Sequence, residues 1–367
     1  TAMSLGDANT ALTLTANTVL DTTGGNASAG GSLTLGGTVN GTTANTESLT
    51  LNAGSTGAVS VVGSVGQTTS LKTLTLTNSN GAVFNAPVTT GTSVVLADTT
   101  DGQTIRFADN LSTPVLTTTA NGYNLELLGS TTSVSAANTA TTFLNTGNLV
   151  LGNGAGDSLT FAGGVTATAP AAISAAGTIN TTNTAMSLGD ANTALTLTAN
   201  TTLSAGSGDI TLGGTVNDAT SGTQSLTLNS TGVTTLQAAV GNNAALSSVT
   251  TNTGGTLVMN GGAVTTTDLQ SYGEPATLGA ATTLTSTGSG AITFGSTLNG
   301  AQTLVVNTSG VTTFTGAVGD TTALTSLTTD AGTAGSVAIN AGVVNTTGAQ
   351  IYGEAATLGA ATTLTST

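Results

Sequence analysis

Several kinds of residue are missing from this chain, and each absence excludes a class of chemistry. The 367 residues include no Cys, no His and no Trp. Without Cys or His the chain can form no disulfide framework, no tetrahedral zinc site and no Cys-His or Ser-His-Asp nucleophile. We therefore expect that the protein is not an enzyme, and we assign no catalytic residue.

Charge is also scarce, and almost all of it is negative. Only 5% of the residues are charged, with Asp+Glu 16 against Lys+Arg 2 and a formal net charge of -14. A typical globular protein is about 25% charged. The two cations are Lys72 and Arg106. Because binding to a phosphate backbone needs clustered Lys and Arg, we expect no nucleic-acid partner.

Long apolar runs are missing too, but the chain is not polar overall. It contains no run of 18 apolar residues, so we expect no transmembrane segment. Disordered chains combine low hydrophobicity with high charge, whereas 38% of these residues are apolar and the mean hydropathy is +0.28. The composition therefore favours a folded protein.

Internal repeats organise the sequence. Residues 1–18 recur unchanged at 184–201, and residues 272–287 recur at 352–367 with Pro275 replaced by Ala355. Looser matches, offset by 78 positions, link the segments that begin at Ser225 and Thr303. These matches predict imperfect modules of about 80 residues, with a short insertion near residues 331–336.

The repeated element is a short alternation of Leu and Thr. It occurs at residues 12–15, 33–35, 49–51, 74–77, 195–198 and 226–228. Alternation with period two in residues that favour β-structure predicts strands, and residues that favour helices are rare. Strands this short cannot bury an apolar face alone, but a coiled chain can stack each strand on its equivalent about 4.8 Å away.

The sequence therefore predicts an all-β fold: a parallel β-solenoid, most simply a right-handed β-helix, with roughly 20 residues per coil. Each module would then make about four coils, and the chain about 18. Two sets of equivalent asparagines are expected at corners, where the side chain can bond nearby backbone: Asn40, Asn217 and Asn299, and Asn52, Asn229 and Asn307. A propeller is disfavoured because its blades need four strands of similar length.

The expected organisation is one continuous β-solenoid over residues 1–367. Within it we distinguish a first repeat region at 1–122 and degenerate coils at 123–183. Tandem modules, each of about 80 residues, occupy 184–367.

Several motifs resemble those of large secreted bacterial proteins. They are GDITLGGTVN, SLTLNSTGVTTLQAAVG, GSVAINAGVVNTTG and NLVLGNGAGDSLTF, which begin at residues 208, 225, 335 and 148. Together they resemble the repeats of filamentous-haemagglutinin-like exoproteins and of autotransporter β-strand-repeat passengers, and the likeness extends over nearly the whole chain. The resemblance implies export and an extracellular location at the bacterial cell surface, as a stalk, fibre or adhesin. It carries no catalytic residues.

One cluster of acidic residues is a candidate site. Asp98, Asp101 and Asp109 lie close together in the sequence, beside Arg106. They could form a calcium site, with calcium as the one cofactor considered, or an acid/base pair like those of β-helical polysaccharide hydrolases and lyases. The alternative is a set of solvated turn carboxylates with Arg106 pairing weakly at the surface.

Repeated acidic residues form a second group. Glu274 and Glu354 each follow Tyr-Gly, which suggests that the tyrosine packs against a corner and caps a turn or, alternatively, forms a platform for carbohydrate. Asp7 and Asp190 occupy equivalent positions in the duplicated segment, and repetition alone explains them.

The leading functional expectation is a structural rod of an extracellular bacterial fibre or adhesin. Open terminal coils expose unpaired backbone groups, so head-to-tail self-association is the expected partnership, and host or matrix glycans are the partners of an adhesin. The alternatives are a carbohydrate-binding or polysaccharide-degrading β-helix and an ice-binding solenoid that uses its outward threonines.

Overall fold

The computed structural model describes residues 1–25, 29–330 and 335–367, and every regular element in these ranges is a β-strand. The insertion expected near residues 331–336 falls mostly outside the described residues. Across the described ranges, the chain has no helix with the length and apolar character needed to cross a membrane. The chain divides into two compact units, Thr1–Thr182 and Asn183–Thr367.

The first unit contains short strands, mostly of three or four residues. They are β1 (Met3–Leu5), β2 (Leu12–Leu14), β3 (Thr18–Asp21), β4 (Leu33–Leu35), β5 (Val39–Gly41), β6 (Leu49–Asn52), β7 (Val59–Val61), β8 (Leu71–Asn78), β9 (Ala82–Phe84), β10 (Val88–Leu96), β11 (Thr104–Phe107), β12 (Leu111–Thr113), β13 (Val115–Thr118), β14 (Asn124–Leu127), β15 (Thr131–Val134), β16 (Thr141–Thr142), β17 (Leu149–Leu151), β18 (Ser158–Phe161), β19 (Val165–Ala167) and β20 (Ala172–Thr181).

The second unit continues the numbering. Its strands are β21 (Met186–Leu188), β22 (Ala194–Gly206), β23 (Ile210–Leu212), β24 (Val216–Asp218), β25 (Ser225–Ser230), β26 (Val233–Leu236), β27 (Ser248–Thr251), β28 (Thr256–Met259), β29 (Ala263–Thr266), β30 (Gln270–Tyr272), β31 (Ala276–Leu278), β32 (Thr282–Ser286), β33 (Ile292–Phe294), β34 (Leu298–Asn299), β35 (Thr303–Thr308), β36 (Val311–Phe314), β37 (Ser326–Thr329), β38 (Ser336–Ile339), β39 (Val343–Thr346), β40 (Gln350–Tyr352), β41 (Ala355–Leu358) and β42 (Thr363–Ser366).

In each unit the strands stack in parallel on equivalent strands one turn away, so the predicted β-solenoid is confirmed. Leu125 of β14, for example, pairs with Leu149 of β17 on the following turn. Turn length varies, from the short turn between Leu257 and Ala276 to the long one between Thr18 and Leu49. The described chain makes about 15 turns, fewer than the expected 18, because most turns are longer than expected. The hand of the coil and the continuity of the two units stay predictions.

Three ladders of strands run through the second unit. The first joins β26, β28, β31 and β34; the second joins β29, β32, β35, β37 and β40; the third joins β25, β27, β30, β33, β36, β38 and β41. The first ladder continues from Leu298 through Val318 to Val344, and so to β39 and β42. Each turn therefore has three sides.

The module does not contain a whole number of turns. β30 lies in the third ladder, whereas its sequence copy β40 lies in the second. Along the chain, each strand is followed by a strand of the next ladder, and three such moves complete one turn. From β30 to β40 the chain makes 11 moves, with Val318 counted as a position of the first ladder. A module therefore makes three and two-thirds turns, not the expected four, and successive copies occupy different sides of the coil.

Apolar side chains fill the interior of each turn. Leu and Val side chains alternate with outward polar ones, as in β25, where Leu226 and Leu228 are fully buried. Aromatic rings stack between turns: Tyr272 on Phe294 at 5.1 Å between centroids, and Phe294 on Phe314 at 5.6 Å. These stacks of buried side chains form the core that the Leu-Thr alternation predicts.

Asparagine and glycine make the corners. The side-chain oxygens of Asn40, Asn217 and Asn299 each accept hydrogen bonds from two backbone N–H groups on the next turn, at 3.0–3.3 Å. The expectation that asparagines bond backbone at corners is confirmed for these three. It is wrong for Asn229 and Asn307, which lie within β25 and β35. A side chain at Gly214 would place its Cβ 2.0 Å from the carbonyl oxygen of Thr193, so this corner needs glycine for close approach.

Candidate functional site

The three aspartates of the acidic cluster lie on two sides of one strand. Asp98 and Asp101 lie between β10 and β11, whereas Asp109 follows β11. The length of β11 separates the two positions by about 13 Å at the usual rise of a strand. Oδ1 of Asp101 accepts a hydrogen bond from the N–H of Gly122 at 3.1 Å, and Oδ1 of Asp109 accepts one from the N–H of Asn110 at 2.7 Å.

Asp98 and Asp101 interact, but a metal site does not form. Burial raises the pKa of Asp98, and the negative charge of Asp101 adds to this effect against the opposing N–H of Thr99. No three acidic side chains within residues 1–25, 29–330 and 335–367 come close enough to hold a metal ion. The structure therefore does not assemble Asp98, Asp101 and Asp109 into the calcium site considered from the sequence.

Arg106 pairs with a residue that the sequence did not single out. Its Nε donates a hydrogen bond to Oε2 of Glu126, and the two residues are register partners on β11 and β14. This bond, followed by the charge of Glu126, raises the pKa of Arg106. The Arg106 side chain is 45% exposed, so the pair lies at the surface, as expected, but its partner is Glu126 and not an aspartate. Both residues point outward from strands one turn apart, which is the sequence signal for the pair.

A shallow groove lies beside Arg106 in the first unit. Its volume is about 350 Å³, and it crosses three successive turns. Polar groups that line it are Ser60, Asn80, Gln103, Thr104 and Arg106. The side chains of Asn80, Gln103 and Arg106 can donate hydrogen bonds, which suits a ligand rich in hydroxyl or carboxylate oxygens.

The Tyr-Gly-Glu motif lies at a buried corner. Tyr272 is fully buried, and its hydroxyl donates a 2.8 Å hydrogen bond to Oε1 of Gln270. The amide of Gln270 in turn donates to the carbonyl oxygens of Val264 and Thr285, at 3.2 and 2.9 Å. The expectation of a tyrosine platform for carbohydrate is therefore wrong at this position, because no face of the ring reaches solvent.

The glutamates of this motif are buried to different degrees. Glu274 is 1% exposed, and neither of its carboxylate oxygens has a hydrogen-bond partner among the described residues. Burial raises the pKa of Glu274 to about 7. Its copy, Glu354, is half-buried, and burial also raises its pKa, with Asp330 adding repulsion against the opposing contact of Thr329.

The other repeated acids have local structural roles. Oδ1 of Asp7 accepts hydrogen bonds from the N–H of Asn9 and the hydroxyl of Thr10, at 3.0 and 2.8 Å. Oδ1 of Asp190 accepts from the N–H of Asn192 at 2.8 Å. Both are side-chain turns of the kind that Asp commonly makes.

Outward hydroxyl side chains form one row along β22 and the third ladder of the second unit. One residue per turn contributes, in register: Thr202, Thr227, Thr250, Ser271, Thr293 and Thr313. At the next position the row is interrupted by Ala338, which has no hydroxyl. The exposed side chains of Leu269 and Val311 lie beside the row. The surface is therefore mixed and not a uniform threonine sheet.

Most of the polar side chains singled out in the sequence hold neighbouring backbone in place. The groove beside Arg106 differs, because the side chains of Asn80 and Gln103 there are exposed. Comparison of the chain with protein-family models, with curated proteins and with solved structures finds no match.

Proposed function

We propose that this chain is a structural section of an extracellular bacterial surface fibre or adhesin. The observation that supports this role is how the polar side chains are used. Asp, Asn and Gln often take part in catalysis or binding in other proteins, whereas here their side chains hydrogen-bond to the backbone of the next turn. Asp101 accepts from Gly122, Asn217 from Ala244, and Gln270 donates to Thr285. Such side chains strengthen contacts between turns, which suits a protein whose task is to span distance.

Immunogold labelling of the bacterium that makes the chain, viewed by electron microscopy, tests this proposal. We expect label outside the cell, on surface fibres. Label confined to the cytoplasm would contradict the structural role.

Self-association is part of the proposed function. Val19 on β3 is 65% exposed and Leu358 on β41 is 55% exposed, so apolar groups lie on strands whose outer edges have no partner strand among the described residues. Exposed strand edges pair readily with other strands. We expect concentration-dependent association in sedimentation experiments that Leu358→Lys abolishes. Thr357→Lys, on the other side of the same strand, serves as the matched control. Equal loss in both variants, or a monomer at every concentration, would contradict self-association.

Glycan binding is the second candidate function, and the groove beside Arg106 favours it. We propose that hydroxyl and carboxylate groups of an acidic polysaccharide occupy this groove and bind Asn80, Gln103 and Arg106. A glycan array probed with the full chain should show binding that Gln103→Ala weakens. Thr160→Ala, on an outward position away from the groove, is the control. Failure of the native chain to bind any glycan would eliminate this function and leave the structural role intact.

A further inference from the structure

Glu274 lies in an environment that is costly for a carboxylate. It sits at the corner between β30 and β31, it is 1% exposed, and both its oxygens lack hydrogen-bond partners among the described residues. Burial of an ionised carboxylate without a partner is strongly unfavourable, so such a group takes up a proton instead. In its neutral form the side chain carries a hydroxyl that can donate a hydrogen bond.

No charged residue faces Glu274 from the strands that pack around it. β27 on the preceding turn, β31 beside it and β33 on the following turn contain neither acidic nor basic residues. The nearest other acid in the sequence, Asp268, lies on the far side of β30. Thr251, a neutral residue, contacts the carboxyl group, and this contact lowers the pKa of Glu274 against the larger effect of burial. The carboxylate therefore has no cation to compensate its charge.

We propose that Glu274 is a proton-binding group that controls the packing of its turn. With the proton bound, β30 and β31 pack tightly against the neighbouring turns. When the proton leaves near neutral pH, the charged side chain must reach water, and the corner opens. The protonation step is a simple loss of H⁺ from the carboxyl group to solvent and needs no other reactant.

The direction of the pH effect follows from the two states of the corner. In the closed corner burial raises the pKa of Glu274 from 4.5 to about 7, whereas in the open corner the ordinary value applies. The closed corner thus holds the proton between pH 4.5 and 7, and its stability is complete below pH 4.5. It falls as the pH rises to 7 and then stays constant.

Hydrogen exchange of the full chain tests the proposal. The opening equilibrium constant for amides of β30 and β31, corrected for the intrinsic exchange rate, should rise about 40-fold between pH 5 and pH 7. Strands β17 and β18 of the first unit should show no such rise and serve as the internal reference.

Two substitutions at the same position separate the proton effect from a packing effect. Glu274→Gln keeps the shape without ionising, and Glu274→Met is an apolar side chain of similar length. Both should remove the pH dependence at β30 and β31, whereas Asp268→Asn should leave it unchanged. A native chain whose opening constant is flat from pH 5 to 7 would overturn the proposal. So would a slope that persists in Glu274→Gln, or one that Asp268→Asn removes.

Discussion

The hydroxyl of Tyr272 donates a 2.8 Å hydrogen bond to the side-chain oxygen of Gln270, and both side chains are fully buried. The pair is repeated in the following module, where Tyr352 donates to Gln350 at 3.1 Å. In both copies the glutamine amide also donates to carbonyl oxygens on two neighbouring strands. One side chain thus links three strands, which makes it a sensitive point for stability.

Gln270→Ala should destabilise its turn strongly. The substitution removes the bonds to Val264, Thr285 and Tyr272 and leaves their polar groups buried, at a cost of about 2–4 kcal/mol in local opening free energy. Hydrogen exchange of β29 and β32 measures this cost. Gln350→Ala is the matched control, because Gln350 is only half-buried and water can replace its bonds. Equal losses in the two variants would show that burial does not set the cost.

Phe294→Ala should be among the most destabilising single changes in the second unit. Phe294 lies between Tyr272 and Phe314 in the ring stack and is 1% exposed, so its truncation leaves a cavity. We expect a loss of about 3–5 kcal/mol, measured by urea denaturation of the full chain. Val311→Ala, at a position 41% exposed, should cost under about 0.5 kcal/mol. A loss at Phe294 no larger than that of the control would contradict a packed ring stack.

Asn40→Ala should loosen one corner of the first unit. The Asn40 side-chain oxygen accepts from the N–H groups of Thr68 and Thr69, and their loss should cost about 1–3 kcal/mol. The effect should be local, with faster exchange of those two amides than of amides in β8. Asn40→Asp keeps an acceptor oxygen and should retain most of the protection. If the alanine and aspartate variants exchange alike, the side-chain bond does not hold the corner.

Arg106→Gln should change the thermal stability very little. The Arg106–Glu126 pair is at the surface, where an ion pair contributes under about 1 kcal/mol and is screened by salt. The melting temperature should therefore shift by only a few degrees at low salt and not at all at high salt. A large shift that persists at high salt would indicate that Arg106 supports the fold by packing and not by charge.

The strand pattern could be predicted because it depends on local sequence. Alternation of Leu and Thr places one residue type inside and the other outside, and strands such as β6 and β25 lie where it predicts. The corner role of Asn40 followed from a repeated position and a short polar side chain. The number of residues per turn could not be predicted from the sequence. Loops between strands vary in length, and the pairing of strands in a ladder tolerates this variation.

The candidate sites were harder to predict because they depend on contacts between turns. Closeness in sequence suggested a joint site for Asp98 and Asp109, but a strand between two loops moves their side chains apart. The sequence suggested that Tyr272 packs against a corner but not that it is fully buried, although its spacing from Gln270 indicates this. Two residues that are two positions apart in a strand point to the same side of it. A glutamine two positions before a tyrosine could therefore have indicated a buried pair.

The fractional turn count of the module determines how duplication changes the molecular surface. Because β30 and β40 lie in different ladders, a surface feature copied with the module is rotated by a third of a turn. In an array extended by further copies, the feature would return to its first side only after three modules, or 11 turns. Duplication therefore places equivalent outward side chains of successive modules on different sides of the coil. A binding surface present in every module would then face all three sides of an extended array and would not be confined to one side.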